Sequence, residues 1–122
     1  MNNIYKGNLY YADLEPVIGS EQGGIRPVLI VSNNIGNRYS STVIIVPLTS
    51  KVESKMNLPT HVVINAFEKI RCDSIALVEQ VRVVDKQRLK SFLGRLPSNQ
   101  LMEVDKSLIV VFGMKENWED YL

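Results

Sequence analysis

Two glycines, an arginine and a proline stand together at Gly23-Gly24-Ile25-Arg26-Pro27. The glycines let a loop turn sharply and approach the backbone of a ligand closely. Pro27 biases Arg26 toward an extended conformation and opens an apolar strand. The Arg26 guanidinium therefore stands where a loop meets a rigid scaffold, and its planar fork suits two parallel hydrogen bonds to a phosphate. Thr49 closes a second apolar stretch, Thr42 to Leu48, and opens a second long loop. A hydroxyl at a strand end can donate to a phosphate oxygen or position a nucleophile. Both residues also have plainer readings, as a solvated arginine and as a turn residue bonding its own backbone.

Other side chains could extend such a site. Glu21, Gln22, Asn33, Asn34 and Gln80 carry groups able to read base edges, and Lys51, Lys55, Arg82 and Lys86 could follow a phosphate backbone. Each alone is equally well a surface polar group. Other chemistries lack their residues. His61 is the single histidine, so one chain cannot pair two imidazoles for acid and base. Its place at a strand start reads as structural. Cys72 is the single cysteine, read as a small buried hydrophobe, and no Cys/His/carboxylate group has metal-ligand spacing. Gly23-Gly24 is not followed by the Gly-Lys-Ser/Thr of a nucleotide loop, and no Gly-x-Ser-x-Gly elbow occurs. No cofactor and no metal is expected.

The elements that must carry these residues read mainly as strands: Leu9 to Leu14, Pro27 to Ser32, Thr42 to Leu48, Val62 to Ile64, and a long one from Ser74 to Asp85. Pro27 to Ser32 is apolar enough to be buried on both faces. In the long strand, Gln80 and Arg82 should face one way and Val81 and Val83 the other. Ile35-Gly36-Asn37-Arg38 reads as a turn. Asp85 is placed to cap a short helix through Leu89, and Ser98 a longer one. In the latter, Leu101, Val104, Leu108, Val111 and Phe112 share a face, and Gly113 ends it. Short strands with appended helices predict a mainly β fold, a small β-barrel whose open end the last helix covers. The loops Glu15–Arg26 and Thr49–Leu58 are long for so small a chain, which favours function there.

With 122 residues, 45% of them apolar and 22% charged, the chain fits one compact domain and is no disordered tail. A formal net charge of +1 excludes a polybasic arm and leaves room for a local basic groove. The N-terminal residues do not read as a secretory signal, and the apolar runs are too short to cross a bilayer. With a lone cysteine, this places the protein in a reducing cytoplasm.

Several segments form a recognisable set. The first are Gly7-x-Leu9-Tyr10-Tyr11-Ala12-Asp13-Leu14 and Pro16-x-x-Gly19-Ser20-Glu21-Gln22-Gly23-Gly24-x-Arg26-Pro27-Val28-Leu29-Ile30. Asn33-Asn34-x-Gly36-Asn37, Pro47-Leu48-Thr49 and Leu58-Pro59-Thr60-His61-Val62 follow. The last is Asp73-Ser74-x-Ala76-Leu77-x-Glu79-Gln80-x-Arg82. Together they resemble the MazF/PemK family of toxin endoribonucleases, in its Gram-positive MazF branch, over the chain up to about Gly113. The resemblance implies an SH3-like β-barrel with helices. It also implies a homodimer with RNA in a groove at the interface, metal-independent cleavage of single-stranded RNA, and a MazE-like antitoxin that blocks the groove. By position it makes Arg26 and Thr49 catalytic. It lays Ser20, Glu21 and Gln22 over the RNA, and gives base recognition to Gln80 and the second loop, with Ser50 and Lys55. Asn33, Asn34, Ser74 and Arg82 complete the implied RNA contacts. Asn8 departs from the acidic residue of many relatives, and Lys115 to Leu122 match nothing in the pattern. Two rivals remain open: a gyrase-binding toxin of the same fold, like CcdB, and a non-catalytic RNA-binding module.

Overall fold

The computed structural model describes residues 3–50 and 58–114. Its strands are β1 (Asn8–Asp13), β2 (Ile25–Ile30), β3 (Thr42–Thr49), β4 (His61–Ile64), β5 (Ser74–Leu77), β6 (Arg82–Asp85) and β7 (Leu89–Arg95). Two helices, α1 (Asn34–Tyr39) and α2 (Ser98–Val111), complete the set, with single 3-10 turns at Val78–Gln80 and Lys86–Arg88. All strand pairs are antiparallel, in the order β4-β5-β3-β2-β1-β7, and β6 adds to β3. The fold is mainly β, as the sequence predicts. The sheet curls around a core, and among the described residues no strand pairing joins β7 back to β4.

The centre of the sheet is buried on both faces. Along β2 and β3 alternate residues enter two separate cores. Leu29, Val31, Val46 and Leu48 join one, which α2 covers through Val104 with Leu101, Leu108 and Val111. Val28, Ile30, Val43 and Ile45 join the other, with Ile4, Leu14, Val84 and Leu89. This is why Val28 to Val31 reads as an unbroken apolar run. The Ser107 hydroxyl, on the inner side of α2, donates to the Pro59 carbonyl at 2.7 Å and ties the helix to the start of β4.

Five expectations from the sequence change. The segment at Ile35–Arg38 is a short helix and not a turn, because Asn33 caps it: its Oδ1 accepts from the Gly36 N–H at 2.8 Å. Replacing this cap should cost about 1 kcal/mol of stability, read in an Asn33→Ala urea titration. The long strand Ser74–Asp85 is broken at Val78–Gln80. A 3-10 turn there, closed by the Val81 N–H donating to the Val78 carbonyl, shifts the register, so β5 pairs with the end of β3 and β6 with its beginning. Beyond the break Val81 and Val83 do not share an environment as the alternation suggests: Val81 packs on the core, Val83 is exposed, and Val84 enters the second core. Helix α2 lacks the Ser98 cap; the Pro97 carbonyl accepts from the N–H groups of Gln100 and Leu101 instead. Phe112 leaves the buried face, since it is the exposed cap just past the helix's end, and Gly113 follows at φ +61°. Finally, β7 was hidden behind the helix signal at Asp85, whose carboxylate caps only the 3-10 turn by accepting from the Gln87 N–H.

Candidate active site

Strand register sets the geometry. β2 faces β3 with Val28 opposite Pro47, Leu29 opposite Val46 and Ile30 opposite Ile45. Extrapolated two residues beyond the last paired position, this register points Arg26 toward Thr49. A side-chain contact agrees with it: Arg26 Nη1 donates to the Leu48 carbonyl at 3.3 Å. Arg26 Nε donates to the Gly23 carbonyl at 2.6 Å, so the double-glycine turn and the strand end fix the guanidinium from two sides. Thr49 is buried and pairs with Ile75 of β5.

Arg26 and Thr49 line one hollow of about 520 Å³, with Gln22, Ser50 and Ser74. Lys69, Arg71, Tyr11 and Cys72 also line it. Three cationic side chains, Arg26, Lys69 and Arg71, thus meet there, and no carboxylate is among the described lining residues. On a nearly neutral chain this is a local concentration of positive charge. Burial pulls the Arg26 pKa below its ordinary value, because the cation loses water. A poorly hydrated cation gains more from an anionic ligand than a hydrated one. Among the described residues no three His, Cys, Asp or Glu side chains cluster as metal ligands would.

With this site in place, comparison with known proteins gives the lineage. Residues 5–112 match the profile of the PemK-like, MazF-like toxin of type II toxin-antitoxin systems. The chain belongs to this MazF/PemK toxin family. The endoribonuclease EndoA of Bacillus subtilis (strain 168) is 47% identical over 109 residues, covering 86% of this chain and 90% of EndoA. MazF from Deinococcus radiodurans superposes with a TM-score of 0.81 at 27% identity, over 93% of this chain and 100% of that one. A mycobacterial endoribonuclease solved in complex with its cognate antitoxin superposes with a TM-score of 0.72 at 26% identity. It covers 93% of this chain and 96% of its own.

In this MazF-like chain the remaining expected contacts fall into three groups. Gln22, Ser50 and Ser74 reach the hollow; the Ser74 hydroxyl donates to the Cys72 carbonyl at 3.3 Å. A second group holds the first loop. Gln80 clasps it with both ends of its amide, accepting from the Gln22 N–H at 3.3 Å and donating to the Ser20 carbonyl at 3.4 Å. Arg82 donates to the Leu14 carbonyl, and Arg88 to those of Asp13 and Glu15. The Glu21 carboxylate turns onto its own loop and accepts from the Ile18 N–H. The third group is not brought to the hollow. Asn33 caps α1, and Asn34 Oδ1 accepts from the Lys6 N–H at 2.7 Å, beside a different hollow that Lys86 lines. Lys51 and Lys55 lie outside the described residues.

Cys72 is exposed at the rim and not a buried hydrophobe, because it sits in the bend before β5. His61 Nε2 lies 2.7 Å from Glu79 Oε1, which fits the structural reading of this side chain. Lys69, Arg71 and Tyr11 escaped the sequence analysis. The first two sit in an irregular segment without periodicity. Only the pairing of β1 with β2, which sets Tyr11 opposite Pro27, reveals that Tyr11 flanks Arg26.

Proposed function

We propose that this chain is an endoribonuclease of a type II toxin–antitoxin system, and that the Arg26–Thr49 hollow cleaves single-stranded RNA without a metal. The observation that carries the site is the meeting of Arg26, Lys69 and Arg71 around the Thr49 strand end. Such a concentration of positive charge attracts a polyanion. RNA supplies its own nucleophile. The 2′-oxygen bonds to the adjacent phosphorus, the bond from phosphorus to the 5′-oxygen breaks, and the 2′ proton is passed on until the leaving 5′-oxygen is protonated. The products are a 2′,3′-cyclic phosphate and a 5′-hydroxyl. The protein's share is alignment and charge stabilisation. Arg26 neutralises the phosphorane, and Thr49 hydrogen-bonds to the same group.

Duplex RNA hides its base edges in a deep groove, so sequence is read on unpaired, splayed nucleotides. Ser20, Glu21, Gln22, Ser50, Ser74 and Gln80 border the hollow or shape the loop over it, and Tyr11 offers an aromatic face for stacking. The protein works as a cytoplasmic homodimer, and a MazE-like antitoxin covers the hollow until it is removed. In the described residues no helix is long and apolar enough to cross a membrane.

The test is direct. A long single-stranded RNA is mixed with the protein in excess EDTA and its cut ends are mapped. Cuts at one short sequence with 5′-hydroxyl ends are the expected result. Intact RNA together with inhibited gyrase would restore the gyrase-binding rival. The basic hollow adds a second expectation. With an uncleavable RNA carrying a 2′-deoxyribose at the cut, the Lys69→Ala/Arg71→Ala double variant should lower the slope of log affinity against log salt by about 1.4. An unchanged slope would remove both residues from the RNA path.

A further inference from the structure

The strongest unexplained contact in the hollow is made by the protein to itself. The end of the Gln22 side chain lies 2.7 Å from Arg26 Nη1 and 2.9 Å from Arg26 Nη2. Only the amide oxygen fits there, because the amide NH₂ would face two further N–H donors. One oxygen thus accepts from both prongs of the guanidinium, where a phosphate would offer two. Arg26 keeps its other anchors, Nε on the Gly23 carbonyl and Nη1 on the Leu48 carbonyl. The Gln22 backbone is tethered independently through its N–H to Gln80 Oε1.

We propose that Gln22 is a positioning residue that occupies the phosphate's place on Arg26 in the free protein and is displaced by the scissile phosphate. This rests on the reading of Arg26 as the phosphate-binding group. Three features favour it. The contact is made to the two Nη groups, the pair a phosphate would grip, by a side chain that lines the same hollow, and the two backbone anchors are independent of it. The substitute is neutral. An amide oxygen makes weaker hydrogen bonds to a guanidinium than a charged phosphate does, so substrate can win the exchange. A carboxylate at the same place would form a bidentate ion pair and compete far more strongly. Moreover, among the described residues the Gln22 oxygen is what the two Nη groups of the half-buried Arg26 cation meet besides the Leu48 carbonyl, and an under-satisfied desolvated charge is costly. Gln22 satisfies it and holds its plane in the direction a phosphate needs. When RNA enters, the freed amide, still tethered by its backbone, is available to the neighbouring nucleotide.

The probe is inorganic phosphate, titrated against the intact protein and followed by the Arg26 Nε–H resonance. Gln22→Ala should bind phosphate about tenfold more tightly than the unaltered chain, as expected for a competitor in place about nine-tenths of the time. Gln22→Glu should bind it at least tenfold more weakly. Gln80→Ala, which loosens the tether and leaves the amide present, should raise affinity by a smaller factor. A role in shaping the loop alone would move the alanine and glutamate variants in the same direction. Affinity in Gln22→Ala equal to or below that of the unaltered chain overturns the proposal. Phosphate binding that survives Arg26→Ala would instead sink the underlying reading of Arg26, and the proposal with it.

Discussion

An Arg26→Ala chain should cut RNA about 10²- to 10³-fold more slowly, the loss typical of removing one preorganised donor from a site of charge development. The cut sequence should stay the same, because the first loop keeps its other anchors on Gln80, Arg82 and Arg88. The lysine variant should recover little of the rate. Its ammonium is a point charge with no fork, and it cannot hold the Gly23 and Leu48 carbonyls while also gripping a phosphate. The dependence on Arg26 should also be flat from about pH 6 to pH 9. Burial lowers the Arg26 pKa, yet an arginine begins so high that its cation is lost only as pH rises through strongly alkaline values. Single-turnover cleavage of one oligonucleotide across pH measures both points. An Arg26→Ala protein that cuts as fast as the parent would leave the nuclease standing and remove its assigned centre.

Leu29→Ala should cost about 2–5 kcal/mol of folding free energy, read as a lowered urea midpoint with little change in slope. Leu29 is fully buried, on the strand that carries Arg26, in the core shared by both neighbouring strands and α2. Its removal leaves a cavity that the sheet cannot close, since the strand's other face is equally packed by Val28 and Ile30. A change of this size takes a large share of the about 5–15 kcal/mol that holds a typical domain together. Ile18→Ala, on the exposed crown of the first loop, should shift stability by less than about 0.5 kcal/mol in the same titration. A similar small shift at Leu29 would mean that the two-core arrangement is wrong.

These two positions are three residues apart, yet they fail in different ways. Leu29 holds β2 in place between two cores. Arg26 uses the end of that strand as a mount. The loop before it is held at its base by Arg82 and Arg88 and over the hollow by Gln80. These donors come from the Val78–Arg88 stretch, which also carries β6. The sheet and the site therefore share one support, and loss of packing beneath it would disturb the loop as well.

Much of this was legible in the chain. The apolar run Val28 to Val31 dictated a central strand buried on both faces, because no amphipathic alternation interrupts it. The spacing of Leu101, Val104, Leu108 and Val111 dictated the helix that covers one core. Gly23-Gly24-x-Arg26-Pro27 marked the hinge of a functional loop, since those types restrict the backbone locally. What stayed hidden depended on partners distant in sequence. The break at Val78 is a 3-10 turn that moves the chain from the end of β3 to its beginning, and nothing near residue 78 announces it. Asn33 and Asn34 carry the right groups for reading bases, and only the chain's path shows one capping a helix and the other bonded to the Lys6 N–H. Residue types and short spacings set which strands form and which loop carries the arginine, because those are local steric and hydrophobic preferences. That Arg26 meets Thr49, that Lys69 and Arg71 join them, and that Gln22 grips the guanidinium was decided by strand register and loop packing, which exist only once distant segments touch.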